Sequence, residues 1–196
     1  MAMHVIEPLR ETLHSTFSRD LPPALTIDSE DTVVFSTLEA GWGLEPSREN
    51  GERRRFEDFR PEWRGDGHAL CGPVEVRGAR HDSGDTHRRA VDRNLGQDGF
   101  RGTYPEESNQ CLGVAARRAR PSPDPSATGG NVDCEELVPG SSLFLPIAAL
   151  FSTGDGHAAQ GDGEVGQTAI EWPVEHAVFS FYLHEDLRWS TLRTHG

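Results

Sequence analysis

The chain contains no lysine: all 19 of its cationic side chains are arginine. That absence excludes a Walker A phosphate loop, a Schiff-base enzyme and any catalytic triad built on lysine. Cysteine is scarce and unpaired in pattern, since Cys71, Cys111 and Cys134 stand far apart without the C-x-x-C spacing of a zinc ribbon. Free thiols are therefore expected. No apolar run is long enough to cross a bilayer, and MAMHVIEPLRETLH lacks the basic start and apolar centre of a secretory leader, so a cytoplasmic chain is expected. Positive charge is also in deficit. A formal net charge of -13 would repel nucleic acid and anionic membrane, which leaves a small solute or a cation as the natural guest. Acidic excess with arginine as the only cation resembles proteins of salt-loving archaea, although a GC-rich coding sequence also favours arginine.

With 35% hydrophobic residues among 196, the chain has material for one sizeable core or two small ones. The apolar positions follow a strand period. Ala24–Ile27 and Thr32–Leu38 alternate β-branched or aromatic residues with polar ones around an acidic turn, which predicts a hairpin. A short strand is expected at Val74–Val76, buried strands at Leu143–Ile147 and Ala149–Ser152, and a two-sided strand where Ala177, Phe179, Phe181 and Leu183 alternate with Val178, Ser180, Tyr182 and His184. Residues 47–66 read as a solvated loop, and Glu135–Val138 as at most one helical turn. The fold class expected is mainly β, sandwich-like or barrel-like, with few short helices and a long irregular centre. Residues 1–78 form an N-terminal β region, 79–128 the Arg-, Gly- and Pro-rich irregular part, and 129–196 a C-terminal β region that joins 1–78 in one structural domain.

The densest chemistry lies in STGDGHAAQGDGEVGQTAIE, residues 152–171. Asp155, His157, Asp162 and Glu164 are separated by glycines that add no bulk and let backbone approach a guest. Residues two apart on a strand face the same way, so Asp155 pairs with His157 and Asp162 with Glu164, and AAQG can turn one pair toward the other. The result is a mixed nitrogen and oxygen donor set suited to Zn²⁺, Mn²⁺ or a similar divalent ion, with Ca²⁺ possible at the acidic pair. The same composition also makes ordinary solvated turns. Neither an EF-hand loop nor tandem calcium-binding nonapeptides are present. Asn131 and Asp133 in GGNVDC are a second same-face pair or simply turn residues; His68 in GDGHALCGP is a ligand or a turn histidine; Trp42 in AGWG lines a pocket or covers a core.

Five segments, FSRDLPPALTI…DTVVFSTLEAGWG, GHALCGPVEVRGA, TGGNVDCEEL, GSSLFLPI and ALFSTGDGHAAQGDGEVGQTAIE, resemble the acetamidase/formamidase family in the same order along the chain. The last is long and specific; the others are individually weaker and agree with it. The resemblance implies a β-rich enzyme, often a homo-oligomer such as a dimer, that hydrolyses the C–N bond of short linear amides such as formamide or acetamide with a bound divalent metal. It carries Asp155, His157, Gln160, Asp162, Glu164 and Glu171 to the site, with His68, Asn131 and Asp133 in neighbouring motifs; Asn131, Asp133 and Trp42 are assigned to a substrate or secondary site. Within that set, Asp155, His157 and Glu164 are assigned as metal ligands with His68 as a fourth. Glu171 or Asp162 is assigned as the proton carrier, and Gln160 as the group that holds the amide. Zinc is the foremost metal, with calcium, manganese and magnesium as alternatives. The missing lysine bears on this too, because the Ser-Ser-Lys and Cys-Glu-Lys amidase routes both need one, and no G-x-S-x-G elbow is present.

The chain departs from the family pattern in three places. Strands and an HPG-type motif are lost after GARHDSGDT, the spacer before ALFS is missing, and Glu39 stands where aspartate is common. Three readings follow: an active metal-dependent amide hydrolase, an inactive descendant that keeps a cation- or ligand-binding scaffold, and a β-sandwich interaction protein whose acidic loops only aid solvation.

Overall fold

The computed structural model describes residues 1–18, 20–38, 42, 68–78, 89–95, 108–109, 111–114, 120–121, 129–131, 140–147, 151–153, 157–160, 170–173, 176–184 and 193–195. Every regular element among them is a strand. In chain order these are β1 (Met3–Ile6), β2 (Leu13–His14), β3 (Thr16–Phe17), β4 (Leu25–Ile27), β5 (Thr32–Ser36), β6 (Leu70–Val76), β7 (Arg89–Leu95), β8 (Ser108–Asn109) and β9 (Cys111–Val114). They continue as β10 (Arg120–Pro121), β11 (Gly129–Asn131), β12 (Ser142–Ile147), β13 (Phe151–Thr153), β14 (His157–Gln160), β15 (Ile170–Pro173), β16 (His176–His184) and β17 (Arg193–His195). No described helix is long and apolar enough to cross a membrane.

Two six-stranded sheets dominate. The first has the order β1-β5-β16-β7-β12-β17; the second runs β11-β9-β13-β6-β2, with β4 added beside β6. A single apolar cluster joins them. Val33, Phe35, Leu143, Leu145, Ala177, Phe179 and Phe181 come from the first sheet, and Ile27, Cys71, Val74 and Val76 from the second. This is the physical basis of the sandwich: each sheet has an apolar face, and only the other sheet can cover it. The alternation expected over 176–184 is present, with Ala177, Phe179 and Phe181 buried and Val178, Ser180 and Tyr182 half-buried.

The predicted hairpin is not formed. Both strands exist, but β4 pairs in parallel with β6 while β5 pairs with β1 and β16, so residues 28–31 carry the chain from one sheet to the other. That link is docked on β16. The Glu30 amide donates to the Phe181 carbonyl at 2.7 Å, and the Phe181 amide donates to the Asp31 carbonyl at 2.9 Å. Glu30 takes a left-handed φ of 75° to make the turn. An acidic turn between two amphipathic strands looks the same in sequence whether the strands pair or part; burying Ile27 and Phe35 on facing sheets decides for parting.

Asp31 also ties down the N-terminus. Its buried carboxylate accepts from the Ala2 amide, from His4 Nε2 at 3.2 Å and from the Asp28 amide at 3.2 Å. The Ala2 hydrogen bond foremost, with the other two and the charge of His4, holds its carboxyl down at about 2. Residues 47–66, Glu135–Val138 and most of 79–128 lie outside the described residues. Within 79–128, however, β7 runs through the middle of the first sheet, paired with β16 on one side and β12 on the other.

Candidate functional site

The second sheet brings the chemistry-bearing segments to one end. Five strand termini form a continuous row there: Asn131 of β11 stands opposite Cys111 of β9, Leu112 opposite Thr153 of β13, Thr153 opposite Cys71 of β6, and Cys71 opposite Leu13 of β2. Because these neighbours are antiparallel, the end of β13, the start of β6, the end of β2 and the end of β11 coincide. Beyond β13 the chain enters 154–156 and then His157, where β14 begins. Before β6 stands His68.

Alternating strand directions thus gather candidates that are far apart in sequence. His68 is half-buried at the entrance to β6. Asn131 ends β11. In the small sheet that follows β13, β14 pairs with β15 so that Glu171 stands opposite Ala159, one step from Gln160 and two from His157. The long motif therefore folds back on itself, with the candidate proton carrier in register beside the candidate ligand strand. Asp133, Asp155, Asp162 and Glu164 lie outside the described residues.

Trp42 is fully buried with Leu13, Leu38 and Ala69 in a second, smaller core. It covers that core and at the same time braces the site end, because Ala69 adjoins His68 and Leu13 precedes His14. Its φ of 65° is left-handed, an unusual conformation for a bulky residue, so the surrounding packing must hold it there. Cys71 is a buried free thiol whose ionisation burial pushes up to about 12, so it serves the main core as an apolar group.

One site-end residue escaped the sequence reading. His14 is only 4% exposed and stands opposite Leu70, two residues from His68. Its Nδ1 lies 2.9 Å from the Thr16 carbonyl oxygen. Burial pulls its pKa down to about 4, against a smaller upward effect of the Thr16 carbonyl. The ring is therefore neutral at pH 7. In the metal-free chain this predicts an acid limb. Above the ordinary histidine pKa of 6.5 neither folded nor unfolded chain is protonated at this site, and stability is full. As the pH falls from there toward about 4 only the unfolded chain takes up the proton, so on the order of 3 kcal/mol is lost. Urea unfolding between pH 7 and 4.5 should show that limb in the native chain and a much flatter one in His14→Gln. Equal slopes would mean that His14 is solvated.

The buried hydroxyls of Ser15 and Thr16 find no hydrogen-bond partner among the described residues. Roughly nine in ten buried polar groups do have one. His14 and His68 bring imidazole, a donor type that divalent transition-metal ions take, to the same end of the sheet as these hydroxyls. No group of three or more His, Cys, Asp or Glu side chains is clustered among the described residues.

Residues 92–178, from β7 into β16 and including the whole of the long motif, match the acetamidase/formamidase family. A Schizosaccharomyces pombe protein that carries the name of a formamidase is 46% identical over 55 residues, a stretch covering 26% of this chain and 13% of that relative's length. The crystal structure of a predicted acetamidase/formamidase from Thermoanaerobacter tengcongensis superimposes with a TM-score of 0.72 at 18% identity, covering 100% of this chain and 74% of that one. An acetamidase of Yersinia enterocolitica superimposes equally well, with a TM-score of 0.72 at 20% identity over 99% of this chain and 72% of its own. At these identities the superpositions establish the shared fold, while the family match and the formamidase-like stretch carry the relationship in sequence. Over residues 92–178 the chain is thus similar to the acetamidase/formamidase family.

Proposed function

We propose that the chain is a divalent-metal-dependent hydrolase of short linear amides, converting an amide and water to a carboxylic acid and ammonia. The observation that supports this reading is the convergence of strand ends in the second sheet, where His68, Asn131 and Thr153, two residues before Asp155 in the chain, come together in backbone register. Asp155, His157 and Glu164 would hold the ion, with His68 as a fourth donor. When bound, a divalent ion supplies Lewis-acid polarisation of the amide carbonyl.

The chain's own groups do the rest. Glu171 or Asp162 accepts a proton from the attacking water and delivers it to the amide nitrogen, so that the C–N bond breaks with ammonia as the leaving group. The register of β14 on β15 supports Glu171 in that role, since it keeps the carboxylate-bearing residue within two ladder positions of His157. Gln160, at the end of β14, can hold the amide with its own amide group, accepting from the substrate N–H and donating to its carbonyl. Formamide and acetamide are the substrates of choice because the family's names denote them.

Ammonia release from formamide and acetamide, followed with the metal content of the same sample at high and low salt, tests the reading. Turnover should vanish on chelation and return with added divalent ion. Bound metal without turnover would instead identify an inactive descendant with an intact site, and neither metal nor turnover would leave a β-sandwich without this chemistry.

A further inference from the structure

We draw no further inference here: the strongest candidate, the row of exposed apolar residues Met1, Met3 and Val5 along β1 at the edge of the first sheet, carries none because nothing among the described residues shows what covers it.

Discussion

Phe179→Ala should lower the free energy of unfolding by about 4 kcal/mol, the range for deleting a buried aromatic ring. For a chain of this length that corresponds to a fall of roughly 10 °C in melting temperature. Phe179 is 0% exposed and lies between two other rings, edge-on to Phe35 at 5.9 Å and to Phe181 at 6.5 Å. Its strand is paired on both sides, with β5 and with β7, so the backbone has little freedom to collapse into the space left behind. The adjoining residue supplies the contrast. Ser180 faces the other way, half-buried, and its hydroxyl meets that of Thr32 at 2.7 Å, so Ser180→Ala should cost only about 1 kcal/mol. Denaturant titration of both variants checks this, and similar losses at the two positions would show that the core does not lie between the sheets.

That comparison also marks what was legible from sequence. Over 176–184 the period of two is clean, because every second residue meets the opposite sheet, and a strand with one buried face announces itself. Pairing partners do not. Ala24–Ile27 and Thr32–Leu38 carry the right pattern for two strands, yet nothing local distinguishes a hairpin from a crossover; the decision rests on the Glu30 and Phe181 backbone bonds and on the facing sheet. Strand β7 was hidden for a related reason. RAVDRNL has few apolar positions, and its strand character comes from two neighbours, β12 and β16, supplied by residues 50 and more farther along.

The candidate site divides in the same way. His157, Gln160 and Glu171 stand out in the sequence because their spacing is local, within one twenty-residue glycine-rich motif. His14 does not stand out in sequence because LHST has no motif around it, and its place at this end of the second sheet appears only once β2 is laid against β6, where it falls two positions from His68. Trp42 had two readings in sequence. The structure gives it a buried place in the second core, and the neighbours it packs on, Leu13 and Ala69, flank both histidines.

On the proposed reading, Asp155→Ala and His157→Ala should each abolish metal retention and lower ammonia release by about three orders of magnitude. A Lewis acid contributes several kcal/mol to such a reaction, and each 1.36 kcal/mol is a factor of ten. The fold should survive both changes. Among the described residues, the core that joins the two sheets is built from residues such as Ile27, Val33, Phe35, Val74, Leu145 and Phe179, and the pairing of β14 with β15 is made by backbone groups that His157→Ala keeps. Circular dichroism should therefore retain the β signal while metal content falls to background. Glu171→Gln separates the roles further: an amide there keeps size and hydrogen bonding but cannot carry the proton, so metal should stay bound while turnover falls. If His157→Ala and Glu171→Gln both lost the metal, Glu171 would be a ligand, and the proton would pass to Asp162. If neither lost it, the ion would sit elsewhere, and the convergence at the end of the second sheet would serve the fold alone.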